Sequence, residues 1–219
     1  MPLNEILDVL LGGAMVTIKI VIMALPLAAL MAFAAGLMRL SEQPLLRGLA
    51  VIYMEFFRGT SALIQLYWIY FVLPLFGISI DAITAGVVAL GLNIGAYGSE
   101  VVRGGLLSID KGQTEAAIAL NFTPRQRLWR ILLPQALVGM MPPFGNLAIE
   151  LVKATSLVSL ITIADLTYRA KSLADMTLQV EQIFALVLVF YFLMAQVLTL
   201  GIRALEKRLG KGMQRGGLT

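Results

Sequence analysis

An all-α integral membrane protein is the fold class this sequence predicts, and three observations predict it. Of its 219 residues, 59% are hydrophobic and only 14% are charged, where a water-soluble domain carries about 25% charged residues. The apolar residues gather into five stretches, each about as long as the 20 residues needed to cross a hydrocarbon core. The basic residues crowd into alternate connections between those stretches, the pattern that fixes orientation during membrane insertion.

The five stretches run at about 10–38, 46–75, 82–107, 131–157 and 183–204. The third and fourth are the least hydrophobic because they contain Asn93, Glu100, Glu150 and Lys153. Lipid offers a polar side chain no partner, so these two helices belong inside the bundle. Pro26, Pro74, Pro134, Pro142 and Pro143 predict kinks or helix ends, tolerated where neighbours satisfy the freed carbonyls. The opening "MPLNEILDVLLGGAMVTIKI" has no basic segment before its apolar run and carries Glu5 and Asp8. It reads as a retained first helix and not as a cleaved signal.

Charge chooses the orientation. The first connection holds Arg39 and Arg47, and the third holds Arg103, Lys111, Arg125, Arg127 and Arg130. The tail adds Arg203, Lys207, Arg208, Lys211 and Arg215, which puts 12 of the 17 basic residues on one side. The other side has Arg169 and Lys171 among the acids Glu5, Asp8, Asp81, Asp165, Asp175 and Glu181. The expected topology therefore has the N-terminus outside and the C-terminus in the cytoplasm.

Composition also excludes chemistry. The chain has no cysteine and no histidine, which removes thiolate metal sites, disulfides and the commonest general base. No G-x-x-x-x-G-K-[ST] phosphate loop occurs. No catalytic residue, metal ligand or cofactor site is expected. The net charge of +4 is accounted for by topology and membrane lipid, with no nucleic-acid partner.

One polar stretch interrupts the oil, "QTEAAIALNFTPRQRLWRILLPQAL" from Gln113 to Leu137. Its first half reads as a short helix at about 114–120 that Asp110 can N-cap. Its second half starts at Thr123-Pro124-Arg125-Gln126, an N-cap followed by a proline at the first helical position and a capping-box glutamine. Asn121 lies between them, where a left-handed backbone is cheap. The pair forms a compact elbow whose exposed side is expected to offer Glu115, Ala116, Ala117 and Leu120. Composition alone favours an amphipathic helix resting on headgroups.

The spacing of that stretch resembles the EAA loop of ATP-binding-cassette (ABC) importer permeases. Glu115-Ala116-Ala117, then Asn121, then Ile131, Leu133 and Pro134 stand where that family has Glu-Ala-Ala, a glycine and a distal Ile-x-Leu-Pro. The glycine is replaced here by Asn121. "EFFRGT" at Glu55–Thr60, "AYGSEVVRGG" leading into "KGQTEAA", and "KATSLVSLI" at Lys153–Ile161 are similar to segments of polar-amino-acid uptake permeases. The closest look is to ectoine and hydroxyectoine permeases. The resemblance implies one permease domain over residues 1–219, with a coupling loop at about 108–134 and an external loop at about 158–181. It implies residence in the bacterial inner membrane beside a second permease, identical or homologous, and two ATPase subunits that bind ATP and Mg. An external or periplasmic protein delivers the solute. It also implies that Glu115, Ala116, Ala117, Leu120 and Asn121 dock into the ATPase. The guanidinium groups of Arg125, Arg127 and Arg130 fit either that acidic surface or lipid headgroups.

Three acid–base pairs share one spacing: Glu55/Arg58, Glu100/Arg103 and Glu150/Lys153. Three residues apart on a helix, both groups share a face and come within reach of each other. The first two pairs precede Gly59 and Gly104, which are expected to allow close helix packing. They read as structural bridges or gate elements. Glu150, Lys153, Thr155 and Ser156, with Asn93 and Tyr97, offer a cation for a carboxylate and an acid or aromatic face for a positive centre. That set suits a zwitterionic solute's pathway, and equally an internal ion pair that never meets solute. A secondary transporter or channel without an ATPase, or a membrane scaffold with a docking elbow, are the rival functions. Against the first rival, the chain shows no internal repeat.

Overall fold

The computed structural model describes residues 2–210, and within them the chain is helical apart from short connections. Lys211 and Arg215, counted above with the basic tail, lie outside the described residues. The elements are α1 (Leu3–Arg39), α2 (Pro44–Gly59), α3 (Ala62–Phe76), α4 (Ala82–Leu107), α5 (Lys111–Ala119), α6 (Pro124–Ile161), α7 (Leu166–Thr177) and α8 (Val180–Gly210). Four of these (α1, α4, α6 and α8) are long and apolar enough to cross a membrane, and α2 with α3 makes a fifth span if counted together.

The centre of the bundle is the contact between α1 and α4. Small residues let it close: Ala28 and Ala32 on α1 lie against Gly95 and Gly98 on α4, and Leu27 packs over Gly91. In lipid the hydrophobic effect gives helices no reason to associate, so backbones must approach closely enough for dispersion to hold them. A Cβ on Gly98 would sit 2.7 Å from the Ala32 Cβ, and one on Gly95 2.7 Å from the Met31 Cβ. Gly59 and Gly104 do not play the expected part, since nothing lies within 4 Å of a Cβ built on either. Around the α1–α4 seam, Leu66, Leu151, Val158 and Ile161 close the core from α3 and α6.

A second, smaller core joins the start of α1 to α7 and α8 through Ile6, Leu10, Leu166, Leu173 and Ile183. The stretch read as an external loop is thus largely a helix, α7, held against the first turns of α1. Asp165 N-caps it, and Thr17 on α1 accepts a hydrogen bond from the Leu166 amide at 3.3 Å.

The second predicted span is not continuous. It turns by 103° between Gly59 and Ala62, separating α2 from α3. Two other stretches are locally underwound where proline intervenes. Backbone of π type occupies Trp68–Val72 just before Pro74, and Leu128–Leu132 just before Pro134. Proline has no N–H for the carbonyl four residues back and its ring crowds that carbonyl, so the preceding turn widens. Pro26, Pro142 and Pro143 end nothing; the helices run through them.

Candidate functional site

The elbow is the most fully specified local structure. Asp110 caps α5 by accepting from the Gly112 amide at 2.6 Å. The Thr123 hydroxyl accepts from the Gln126 amide at 3.3 Å, while the Gln126 carbonyl oxygen accepts from the Thr123 amide at 3.0 Å. That is the reciprocal box the sequence predicts. Asn121 adopts φ 57°, the left-handed conformation. Around it the Phe122 amide donates to the Ala117 carbonyl at 3.0 Å and the Asn121 amide to Ile118 at 2.9 Å. These bonds satisfy the last carbonyls of α5 and reverse the chain. Gln135 donates to Gln113 at 3.1 Å, tying α6 to α5.

The exposed face differs from expectation at one residue. Glu115, Ala116 and Leu120 are not buried, Leu120 being exposed to 67%, but Ala117 is fully buried at 0%. The reason is helical phase. Ala117 faces inward, where its carbonyl also receives the reversing bond, and Ile118 takes its place outside at 55% exposure.

The break between α2 and α3 is held by polar side chains. Helix α2 ends with carbonyls that have no partner in its own ladder. The Thr60 hydroxyl donates to the Phe56 carbonyl at 2.7 Å. The Phe57 carbonyl accepts from both the Gln65 and Asn93 side-chain amides at 3.0 Å. Asn93 also donates to the Gln65 carbonyl oxygen at 3.0 Å, inside the core. A span can break at membrane depth only where its freed backbone is satisfied by protein, and this network does so. Asn93, read from sequence as a pathway residue, therefore has its amide donors committed to the break. Sequence reasoning missed Gln65; its signal was a lone glutamine in the apolar run just after Gly59-Thr60-Ser61.

Of the three acid–base pairs, one forms. Arg103 Nε donates to Glu100 Oε2 at 3.0 Å. Arg58 does not pair with Glu55. Its guanidinium lies 3.6 Å from Glu100 Oε1 and 5.3 Å from the centroid of the Tyr97 ring, drawn across to α4 by a carboxylate and an aromatic face. Arg39 at the end of α1 donates to the same Glu100 oxygen. Glu150 and Lys153 also form no ion pair with each other; both are exposed on α6. Spacing on a helix permits a pair, but an exposed pair gains little against side-chain entropy and need not form.

Thr155 and Ser156 stand at the start of a 3-10 stretch, Thr155–Ile161. Their hydroxyls donate to carbonyls three residues back, Thr155 to Val152 at 2.6 Å and Ser156 to Lys153 at 2.9 Å. Such bonds compete with the α-helical ladder and tighten the last turns of α6. Thr155 is buried, and Ser156 is half-buried. The structure thus separates the six predicted pathway residues. Tyr97 sits with the arginines, Asn93 at the break, and Glu150 and Lys153 on an exposed face. A cavity of about 570 Å³ lies elsewhere, between α1, α4, α6 and α8, walled by apolar residues including Pro26, Phe33, Met141, Phe144 and Ile202.

Among the described residues no group of three or more acids, histidines or cysteines converges as a metal site. Asp165 is an acid outside the spans whose carboxyl is shifted upward. Burial pushes its carboxyl up to about 6 against the hydrogen bonds that lower it. Its Oδ1 accepts from the Tyr168 amide at 2.9 Å, and Oδ2 is buried without a partner.

Comparison with known proteins places this geometry. A family model described as "Binding-protein-dependent transport system inner membrane component" matches residues 24–211. A probable amino-acid ABC transporter permease protein, y4tF of Sinorhizobium fredii, is 44% identical over 94% of this chain and 89% of its own length. The glutamine transport system permease protein GlnP of Escherichia coli K12 is 35% identical, covering 93% and 94%. The L-cystine transport system permease protein TcyB of Bacillus subtilis is 34% identical, covering 93% and 87%. The crystal structure of an amino acid ABC transporter with histidines superposes with a TM-score of 0.86 at 33% identity, over 94% of this chain and 96% of that one.

Proposed function

This chain belongs to the inner membrane components of binding-protein-dependent transport systems, and from that premise we propose how it moves its solute. It is a permease subunit of an amino-acid ABC importer, a transport component of the bacterial inner membrane and not an enzyme. The ATPase is carried by separate subunits, and no cofactor is bound by this chain. We infer that the elbow end of the bundle faces the cytoplasm, as the distribution of basic residues requires. There α5 docks into a cleft of the ATPase pair, with Glu115 as polar anchor and Ala116, Ile118 and Leu120 as the apolar face. Closure of the ATPases moves the elbow, and the capped joint at Asn121–Thr123 passes that movement to α6, which tips the bundle between inward-open and outward-open states. A second permease subunit, identical or homologous, completes the pathway, and an external binding protein delivers the solute. That solute is a small zwitterion, an amino acid or a compatible solute such as ectoine. Lys153 and Glu150, on the exposed face of α6, suit its two charges if that face meets the second permease.

The observation that carries this reading is the elbow. It is held at both caps and at the reversal, and tied to a long helix, yet it leaves Ile118 and Leu120 exposed. The test is solute-stimulated ATP hydrolysis by the assembled importer in proteoliposomes. Glu115→Ala should lower it at least tenfold and weaken retention of the ATPase on purification. Undiminished stimulation in that variant would remove the elbow from the mechanism.

A further inference from the structure

One carboxylate and three guanidiniums meet where α1, α2 and α4 converge. Glu100 is flanked by Arg39, Arg58 and Arg103, with Arg58 at 3.6 Å and Arg103 at 3.0 Å. The charges do not cancel: one acid against three bases leaves a surplus of two positive charges. Two other acids stand three residues from members of the cluster, Glu42 after Arg39 and Glu55 before Arg58, and neither makes an ion pair with them. Among the described residues no other carboxylate is within 4 Å of these arginines.

Their hydrogen-bonding capacity is also unspent. A guanidinium carries five N–H donors. Arg103 uses Nε on Glu100, and Arg58 finds only the sulfur of Met54, at 3.5 Å. Arg39 is the inner member, with 15% of its side chain exposed, while Arg58 and Arg103 open outward at 40% and 36%. Two guanidinium forks from two helices thus face outward with surplus charge. They lie beside the last residue of α1, where a spanning helix meets the headgroup layer. A carboxylate has two acceptor oxygens in a plane; a phosphate offers a tetrahedral set that can satisfy two forks approaching from different helices.

We propose that Arg58 and Arg103, backed by Arg39 and Glu100, form a binding site for a phosphate group, supplied by an anionic lipid headgroup or by free phosphate. Glu100 holds the three cations in place, Tyr97 fixes the plane of Arg58, and the bound phosphate neutralises what Glu100 leaves over. This site is independent of the coupling elbow and of the identity of the solute.

The full chain, purified in a neutral detergent and stripped of lipid, is titrated in a calorimeter with short-chain phosphatidylglycerol, short-chain phosphatidylcholine and inorganic phosphate. Phosphatidylglycerol should bind more tightly than phosphatidylcholine. Arg58→Gln and Arg103→Gln should each weaken it about fivefold, and Arg47→Gln, an exposed arginine of α2 outside the cluster, should leave it unchanged. Inorganic phosphate binding with the same dependence on the two arginines marks a general phosphate site; binding of phosphatidylglycerol alone marks a headgroup site. If a glutamine variant does not remain folded, Arg58→Lys and Arg103→Lys keep the charge but remove the planar two-pronged donor, and each should still weaken phosphatidylglycerol binding. The proposal is overturned if neither phosphate compound binds, if the arginine variants match the parent chain, or if Arg47→Gln weakens binding equally.

Discussion

Asn121 does at φ 57° what glycine does without a side chain, and asparagine is among the few other residues that visit this region cheaply. Asn121→Gly should therefore leave solute-stimulated ATP hydrolysis nearly intact. Asn121→Val should cost about 1–2 kcal/mol at the reversal and reduce the same activity. Asp165 invites a different experiment. Its buried carboxyl titrates near 6, while in the unfolded chain it titrates near 3.8. A carboxyl whose folded value is raised favours the protonated folded state. Its contribution is fully present below about 3.8 and is lost as pH climbs through 6, a swing of up to about 3 kcal/mol. An asparagine side chain at this position would keep the N-cap without the charge. In detergent, Asp165→Asn should melt higher than the parent at pH 8, and the gap should close toward pH 4; a gap independent of pH would mean that folding does not raise the Asp165 carboxyl. The capping residues of the elbow were legible in the sequence because caps are local chemistry. The partners of Arg58 were not, since they come from α4.

At the scale of elements, the α1–α4 seam is the part least tolerant of added volume. Gly98→Ala puts a methyl 2.7 Å from the Ala32 Cβ, a clash between two packed helices expected to cost about 1–3 kcal/mol. Gly104→Ala, with nothing within 4 Å, should cost nothing and serves as the control. Thermal unfolding followed by circular dichroism separates them. The broken second span carries a related expectation. Asn93→Leu removes a donor from the Phe57 carbonyl and from Gln65, and should destabilise by about 1–2 kcal/mol. Five apolar stretches were readable from composition and length, as were their approximate ends. The 103° break was not, because hydropathy measures whether a segment prefers lipid and says nothing of a backbone redirected by Gln65 and Asn93 from other turns. The i, i+3 rule likewise predicted three ion pairs and the structure forms one. On a bundle's inner edge an arginine chooses among all nearby helices, and Arg58 finds Glu100 with Tyr97 on α4.

For the whole molecule, the chain exposes long apolar faces, including Leu45, Leu49, Ile52 and Phe56 on α2 and Leu188, Phe192 and Val197 on α8. Lipid or another helix must cover them. The cavity between α1, α4, α6 and α8 is apolar, and the charged residues suited to a zwitterion lie outside it. Under the proposed function a second permease subunit completes the pathway. Proteoliposomes containing this chain alone should show no solute uptake under an imposed proton or sodium gradient, and uptake should require the assembled importer with ATP; gradient-driven uptake by the single chain would restore the secondary-transporter reading. The membrane class, the apolar stretches, the caps of the elbow and the family were legible in the residues, because these depend on composition and on contacts within a few residues. Packing between helices settled which carbonyls Asn93 and Gln65 satisfy and that three arginines share one glutamate. Those outcomes depend on distances between helices far apart in the chain, and no local pattern encodes them.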